Sequence, residues 1–302
     1  ILLDNYLFPK ISDFGLSKQI YDESNEKRQI KSGYKGTPAY SAPEVFRQIY
    51  TKAGDVFSFS LIVYEIITAE IPYSKMNQFQ LLSNICSGFR PSFKFPLPYS
   101  YQKLIEDCWA DDPSQRPSFD EIVERLKNDK GFITSNVDEN EFLNYILYID
   151  ESFNKKSTTS KQSFREISVD LKRQTDNNNV NETNSMKELF LDLKKFEKGE
   201  LIMKGDLYKN YKIKSIETGT VYLCKISMAK INNFSRGELI KLSREVNIIS
   251  QLKHPSFLKF IGYSPINFKN QQYPVLVTEL PSNGTLFSFL EKERKKRNVL
   301  NW

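Results

Sequence analysis

Read only for apolar and polar positions, the chain falls into a stretch of mixed helix and strand patterns, a polar stretch, and a stretch of short strands around one helix. Residues 1 to about 130 form the first, with a section rich in proline and aromatic residues from Pro91 to Tyr101. Around Asp55 the text AGDVFSFSLIVYEIITAEIPY is apolar on nearly every side over several turns. A helix with no polar face has to lie inside a domain, so a central buried helix is predicted there. A short closing helix is predicted over Ser118 to Lys127, where Ser118 and Glu121 make a capping box and Ile122, Val123 and Leu126 share a stripe. From about Glu151 to Ser185 the text turns to runs such as Asp-Asn-Asn-Asn-Val-Asn-Glu-Thr-Asn. Such polar, low-complexity text cannot bury enough surface to offset the entropy of ordering, and a linker is predicted over 151–195. Short strands follow from about 195 to 230, among them Thr220 to Ile226, with Glu217-Thr218-Gly219-Thr220 as a turn. Ser235 and Glu238 then cap a helix carrying Leu242, Ile249 and Leu252. Two further strands, Phe257 to Ile261 and Pro274 to Thr278, lead to a Pro-Ser-Asn-Gly turn.

Composition supports this picture. A chain of 302 residues with 39% hydrophobic and 13% aromatic content can build two compact cores. The formal charge of +6 is modest and spread along the chain, and the basic run Glu291 to Arg297 reads as a solvated helix face. Neither a nucleic acid nor a membrane is therefore expected as a partner. The apolar stretch Val56 to Ala69 is too short to span a bilayer and carries Glu65. Cys86, Cys108 and Cys224 show no paired spacing, which argues against a disulfide framework or a zinc cluster and for a reducing compartment; the expectation is cytoplasmic. Asn-x-Ser/Thr matches at Asn181, Asn233 and Asn283 matter only in a secreted protein. The chain opens at Ile1 and stops at Trp302, and both ends are expected to be cut from a longer protein.

Chemistry enters at Asp13-Phe14-Gly15, after the strand-like runs Ile1 to Leu3 and Lys10 to Ser12. An aspartate delivered at a strand end can hold a hard cation such as Mg²⁺ through oxygen, as phosphoryl transfer requires. A loop rich in Ser, Thr and Tyr follows, then Ala42-Pro43-Glu44, Asp55 heading the buried helix, and Arg116. This ordered set resembles the C-terminal lobe of eukaryotic protein kinases, with its metal-binding DFG, activation loop, APE, central helix and closing arginine. The resemblance implies a bidentate structural ion pair between Glu44 and Arg116, and structural roles for Phe14, Gly15 and Asp55. It places Thr37, in Gly36-Thr37-Pro38-Ala39-Tyr40, in the segment that reads the residue after the phosphoacceptor, where a threonine resembles the tyrosine kinase-like serine/threonine group. Ser17, Tyr21, Ser24, Ser32 and Tyr34 fall in the corresponding activation loop, as phosphorylation sites or as plain solvated residues. Cys108-Trp109 with Asp112-Pro113 resembles the family's loop before its last helices, and Trp109 itself reads as core packing.

The strand-rich piece carries complementary features. Lys225 lies in the apolar strand VYLCKI, and Glu245 falls in the stripe Leu242, Glu245, Ile249, Leu252. A carboxylate in an apolar stripe is costly unless paired. The two residues stand twenty apart, which resembles the kinase lysine and helix glutamate that clamp the α and β phosphates of ATP. The resemblance further implies that Thr278-Glu279-Leu280 is the gatekeeper and adenine-binding hinge, and that Gly205 is the one glycine kept in the phosphate-covering turn. Met203 and Tyr208 stand where the other two glycines are looked for. His254, in Lys253-His254-Pro255, reads as a turn residue.

The reading is thus an α+β, protein kinase-like chain joined back to front: a C-lobe over 1–130, an extension over 131–150, the linker, and the N-lobe of a second unit over 198–302. ATP and Mg are the implied cofactors, with a protein substrate and a second kinase unit as partners. The His-Arg-Asp catalytic loop is missing, and the chain contains no Arg-Asp dipeptide at all. A serine/threonine kinase fragment and a partner-binding pseudokinase both remain open at this point.

Overall fold

The computed structural model describes residues 1–17, 28–29, 36–135, 137–148, 150–151, 189–205 and 207–296. Two compact units divide the chain, Ile1–Ser17 with Ser163–Phe289 and Lys18–Gln162 with Leu290–Trp302. The first is built on an antiparallel sheet and the second on helices, so the architecture is α+β.

In the sheet unit the strands Phe196–Lys204, Tyr208–Ser215, Val221–Ser227, Val275–Glu279 and Phe260–Ser264 lie side by side in that order. Because successive side chains of a strand face opposite sides, Tyr222, Cys224 and Ile226 turn one way and Leu223 and Lys225 the other. On the first face Ile213, Cys224, Ile226, Val275 and Val277 pack with Leu193. On the second, the helix Arg236–Gln251 lays Leu242 and Val246 against Tyr263 and Leu276. Its capping box forms as its sequence predicts, with the Ser235 N–H donating to the Glu238 carboxylate at 2.8 Å and the Glu238 N–H donating back to Ser235 Oγ. Burial pushes the Cys224 thiol up to about 12.

Three expectations change in this unit. Residues 1–17, expected with the helical piece, cluster with the sheet instead. Leu2–Leu3 pairs with Pro9–Lys10 as a short hairpin whose outer groups find main-chain partners in the sheet unit. The Leu3 N–H donates to Gly284 O (2.9 Å), Asn283 N–H to Leu3 O (3.1 Å), Ile11 N–H to Ser256 O (2.7 Å) and Leu258 N–H to Ile11 O (3.0 Å). An extended segment has to satisfy its backbone somewhere, and here it does so against residues far along the chain. Second, of the linker expected over 151–195, residues 152–188 lie outside the described residues, whereas Leu189 to Leu193 run along the edge strand. The Leu191 N–H donates to Tyr263 O (2.7 Å) and the Tyr263 N–H to Leu189 O (2.9 Å), and Leu193 is buried. The apolar alternation at 189, 191 and 193 outweighs the polar text before it. The approach is so close that a Cβ on Gly262 would stand 2.8 Å from Leu191 Cβ, which keeps that position glycine. Third, the strand expected at Phe257 to Ile261 runs Phe260–Ser264, because His254 to Phe257 form a turn in which the Ser256 N–H donates to His254 Nδ1 (3.1 Å).

In the helical unit, Lys52–Thr68 is the central helix. Thr51 caps it by accepting from the Gly54 N–H (3.1 Å), and it stops at Ala69, whose φ is 53°. Its apolar surround has a direct consequence. Phe57, Leu61, Tyr64 and Ile67 pack with Leu81, Ile85, Ile105 and Trp109, while Val56 packs on another side with Leu104, Cys108, Ile122 and Phe132. Trp109 stacks on Phe93 at 5.7 Å between centroids, as a core residue. The closing helix Phe119–Asn128 carries the predicted Ser118–Glu121 capping box and contributes Ile122. The basic run from Glu291 is only partly a solvated face: Lys295 pairs with Glu291 at 3.0 Å, but Arg294 reaches the buried Glu65. Tyr21, Ser24, Ser32 and Tyr34 lie outside the described residues. No helix among the described residues is long and apolar enough to cross a membrane.

Candidate active site

Lys225, Glu245 and Asp13 all belong to the sheet unit. Lys225 is half-buried on the face of the sheet that the Arg236–Gln251 helix covers, directly across from Asn210 on one neighbouring strand and Leu276 on the other. Glu245 is half-buried on that helix, one turn from the buried Leu242 and Ile249. Asp13 is exposed and sits in the left-handed region at φ 68°, a conformation that costs a non-glycine residue and turns the chain sharply at the end of the docked hairpin. Phe14 anchors the turn by packing edge-on against Phe257 at 5.9 Å.

Around Gly15 two carboxylates converge. A Cβ placed there would lie 3.5 Å from Glu245 Oε2 and 3.7 Å from Asp13 Oδ1. Burial raises the Glu245 carboxyl above its ordinary value; the Lys225 charge opposes this and the Asp13 charge adds to it. Lys225 therefore acts on Glu245 through space, but the expected ion pair is not closed: no Lys225–Glu245 contact within 4.0 Å occurs among the described residues. The helix docks through Leu242, Val246 and Ile249, and that packing holds the carboxylate towards Gly15 instead.

The remaining positions of this site are spread along the same unit. Gly205 lies in the turn between Phe196–Lys204 and Tyr208–Ser215, where its N–H donates to Tyr208 O (2.9 Å). Met203 is exposed, whereas Tyr208 is half-buried, its phenol pushed up to about 12 by burial and by the nearby Glu245 and Asp13 charges. Thr278 is buried at the end of Val275–Glu279 and donates its hydroxyl to Glu279 O (3.2 Å). Glu279 holds the neighbouring chain with both backbone and side chain: its N–H donates to Lys259 O (2.9 Å) and its carboxylate accepts from the Lys259 N–H (3.0 Å). Leu280 follows, half-buried.

In the helical unit the Glu44–Arg116 pair is closed. Arg116 Nη1 donates to Glu44 Oε1 (2.6 Å) and Nη2 to Oε2 (3.0 Å), with the Arg116 side chain fully buried. The guanidinium also donates to Ala110 O and Ala53 O (2.9 Å each) and lies over the Phe57 ring. Asp55 stands in the first turn of Lys52–Thr68 with its side chain exposed, and Thr37 is exposed immediately before the short turn Pro38–Tyr40. Sequence patterns missed one cluster here. Glu65, noted only as a charge in an apolar run, is buried and shared by Tyr40 Oη and Arg294. Burial and the Glu65 carboxylate raise the Tyr40 phenol strongly. The available signal was a lone acid in an otherwise apolar helix, which demands partners but does not say which.

Residues 1–126 match the family model for protein tyrosine and serine/threonine kinase. That segment is similar to protein kinases. A probable serine/threonine-protein kinase, drkC of Dictyostelium discoideum, is 41% identical over 129 residues, 42% of this chain and 17% of that protein. Serine/threonine-protein kinase VIK of Arabidopsis thaliana is 37% identical over 128 residues, 42% of this chain and 29% of that protein. The dual specificity protein kinase shkA of Dictyostelium discoideum is 37% identical over 130 residues, 42% of this chain and 24% of that protein. The chain thus spans less than a third of the length of these curated relatives. The kinase-like segment takes in both Asp13-Phe14-Gly15 and the Glu44–Arg116 pair.

Proposed function

We propose that this chain is part of a serine/threonine protein kinase of the tyrosine kinase-like group, and that its sheet unit holds Mg-ATP. The observation that carries the reading is the convergence of Asp13 and Glu245 around Gly15, on the unit whose sheet presents Lys225. The donor set fits the group. Asp13 offers carboxylate oxygen to a hard cation, and Lys225 offers a point charge to phosphate. In this reading Asp13 holds Mg²⁺, Lys225 pairs with the phosphates, Glu245 supplies a counter-charge to Lys225 without closing on it, Gly205 turns the chain over the phosphates, and backbone groups of Glu279 and Leu280 take the base in front of Thr278. A bound Mg²⁺ supplies charge neutralisation on the phosphates. Glu44 and Arg116 brace the segment that carries Thr37, which faces the protein substrate. The chain by itself binds nucleotide without efficient turnover, because its 302 residues contain no Arg-Asp dipeptide to supply the base. The cytoplasm is the proposed location and a second kinase unit the proposed neighbour.

The test is a thermal melt of the 302-residue chain with and without Mg-ATP, repeated on Lys225→Met. Ligand at a hundred times its Kd stabilises the binding unit by about 2.7 kcal/mol. An upward shift in the wild type that Lys225→Met loses is the expected result. A wild type that melts at the same temperature at millimolar Mg-ATP would remove the nucleotide reading.

A further inference from the structure

Directly across the strand pair from Lys225 stands Asn210, on the same face of the sheet. Cross-strand partners carry their Cβ atoms about 5 Å apart, so the amide and the ammonium stem are immediate neighbours. Asn210 Oδ1 is buried and has no hydrogen-bond partner. Lys212, the next residue on that face, is engaged with Glu200 at 2.5 Å, and Leu276, beyond Lys225, is apolar. An orphaned buried carbonyl oxygen is costly, and asparagine is a poor strand residue where valine or threonine would do. A residue that is unfavourable on both counts, beside the lysine of the site, is best explained by something it binds.

We propose that Asn210 is a ligand-binding, specificity-determining residue: its Oδ1 accepts a hydrogen bond from a hydroxyl or amine of the nucleoside part of a nucleotide whose phosphates pair with Lys225. The inference rests on the nucleotide reading above and deepens it. Ionised phosphate has no proton to give an acceptor, whereas the sugar hydroxyls and the base amine do. Asn210 therefore favours a nucleoside polyphosphate over a bare polyphosphate, a discrimination that the charge of Lys225 alone does not make.

The experiment compares wild type with Asn210→Val, which removes the acceptor and suits a strand, and with Asn210→Thr, which restores an acceptor at nearly the wild-type volume. Calorimetric titration uses Mg-ATP, Mg-2′-deoxy-ATP and Mg-tripolyphosphate, and the melting temperature of each free variant checks folding. The expected result is ATP binding weakened about 5- to 20-fold in Asn210→Val and partly recovered in Asn210→Thr, with tripolyphosphate binding equal in all three. If the Val variant's deficit vanishes with 2′-deoxy-ATP, the 2′-hydroxyl is the donor; if it persists, the base or another sugar hydroxyl is. Equal ATP affinity in wild type and Asn210→Val overturns this inference while leaving the nucleotide reading intact, as does an equal loss for ATP and tripolyphosphate. Failure of the wild type to bind either ligand overturns both.

Discussion

Two charge pairs that look alike in the sequence behave differently in the fold. Glu44 and Arg116 form a closed, bidentate pair whose guanidinium donates to three further main-chain oxygens, those of Ala53, Ala110 and Asp111. Lys225 and Glu245 share a unit, but their charges stand beyond 4.0 Å, and the carboxylate leans towards Gly15 and Asp13. The first arrangement satisfies every part of a buried cation and leaves it nothing further to bind. The second leaves a cation and two carboxylates near one another without mutual satisfaction, an arrangement suited to a charged ligand and costly without one. The closed pair belongs to architecture and the open one to chemistry.

The strongest way to break this contrast is Arg116→Ala. It strands a buried carboxylate and should cost about 3–5 kcal/mol, read as a fall in the urea midpoint of the helical unit. A midpoint unchanged within error would mean that the pair is ornamental. Next in size is Tyr40→Phe, which takes one donor from the buried Glu65 while Arg294 keeps its own. A loss of about 1–3 kcal/mol is expected by the same measurement, as for a hydrogen bond to a charged group. If Tyr40→Phe is neutral, Arg294 alone satisfies Glu65, and the cluster is looser than its geometry.

The smallest effect, and the sharpest for the open pair, is Glu245→Gln followed against pH. Burial raises the Glu245 carboxyl above 4.5. A carboxyl whose folded value is raised contributes stability that is fully present below its unfolded value and is lost as pH rises through the folded one. Glu245→Gln should therefore flatten the decline in melting temperature above pH 4.5 and melt no lower than wild type at pH 7. Should it melt several degrees lower at pH 7, the Lys225–Glu245 pair is closed in solution and the contrast disappears.

Local structure was legible wherever a rule acts within a few residues. The Ser118–Glu121 and Ser235–Glu238 capping boxes are contained in their own first turns, and the apolar surround of Lys52–Thr68 already required burial on several sides. The Val221–Ser227 strand followed from its alternation and β-branched content. Glu44 and Arg116 were legible as a pair through resemblance, since each lies in a motif that carries the other. Less was legible at the sheet. Asn210 carries no signal in the sequence, because its meaning depends on the register that sets it opposite Lys225. Arg294 passed as one charge in a basic run, because nothing local announces a partner 229 residues away.

Sequence by itself determined the central buried helix, the two capped helices at Phe119–Asn128 and Arg236–Gln251, and which residue types are available for chemistry, since those properties arise from neighbours along the chain. Tertiary structure alone decided that residues 1–17 belong with the sheet, that Leu189 to Leu193 line its edge, and that one ion pair closes while the other stays open. Those outcomes depend on which distant backbone groups and charges meet, and on whether packing leaves a carboxylate within reach of its lysine. Such distances are set by the summed packing of many side chains and are written in no single stretch of the chain.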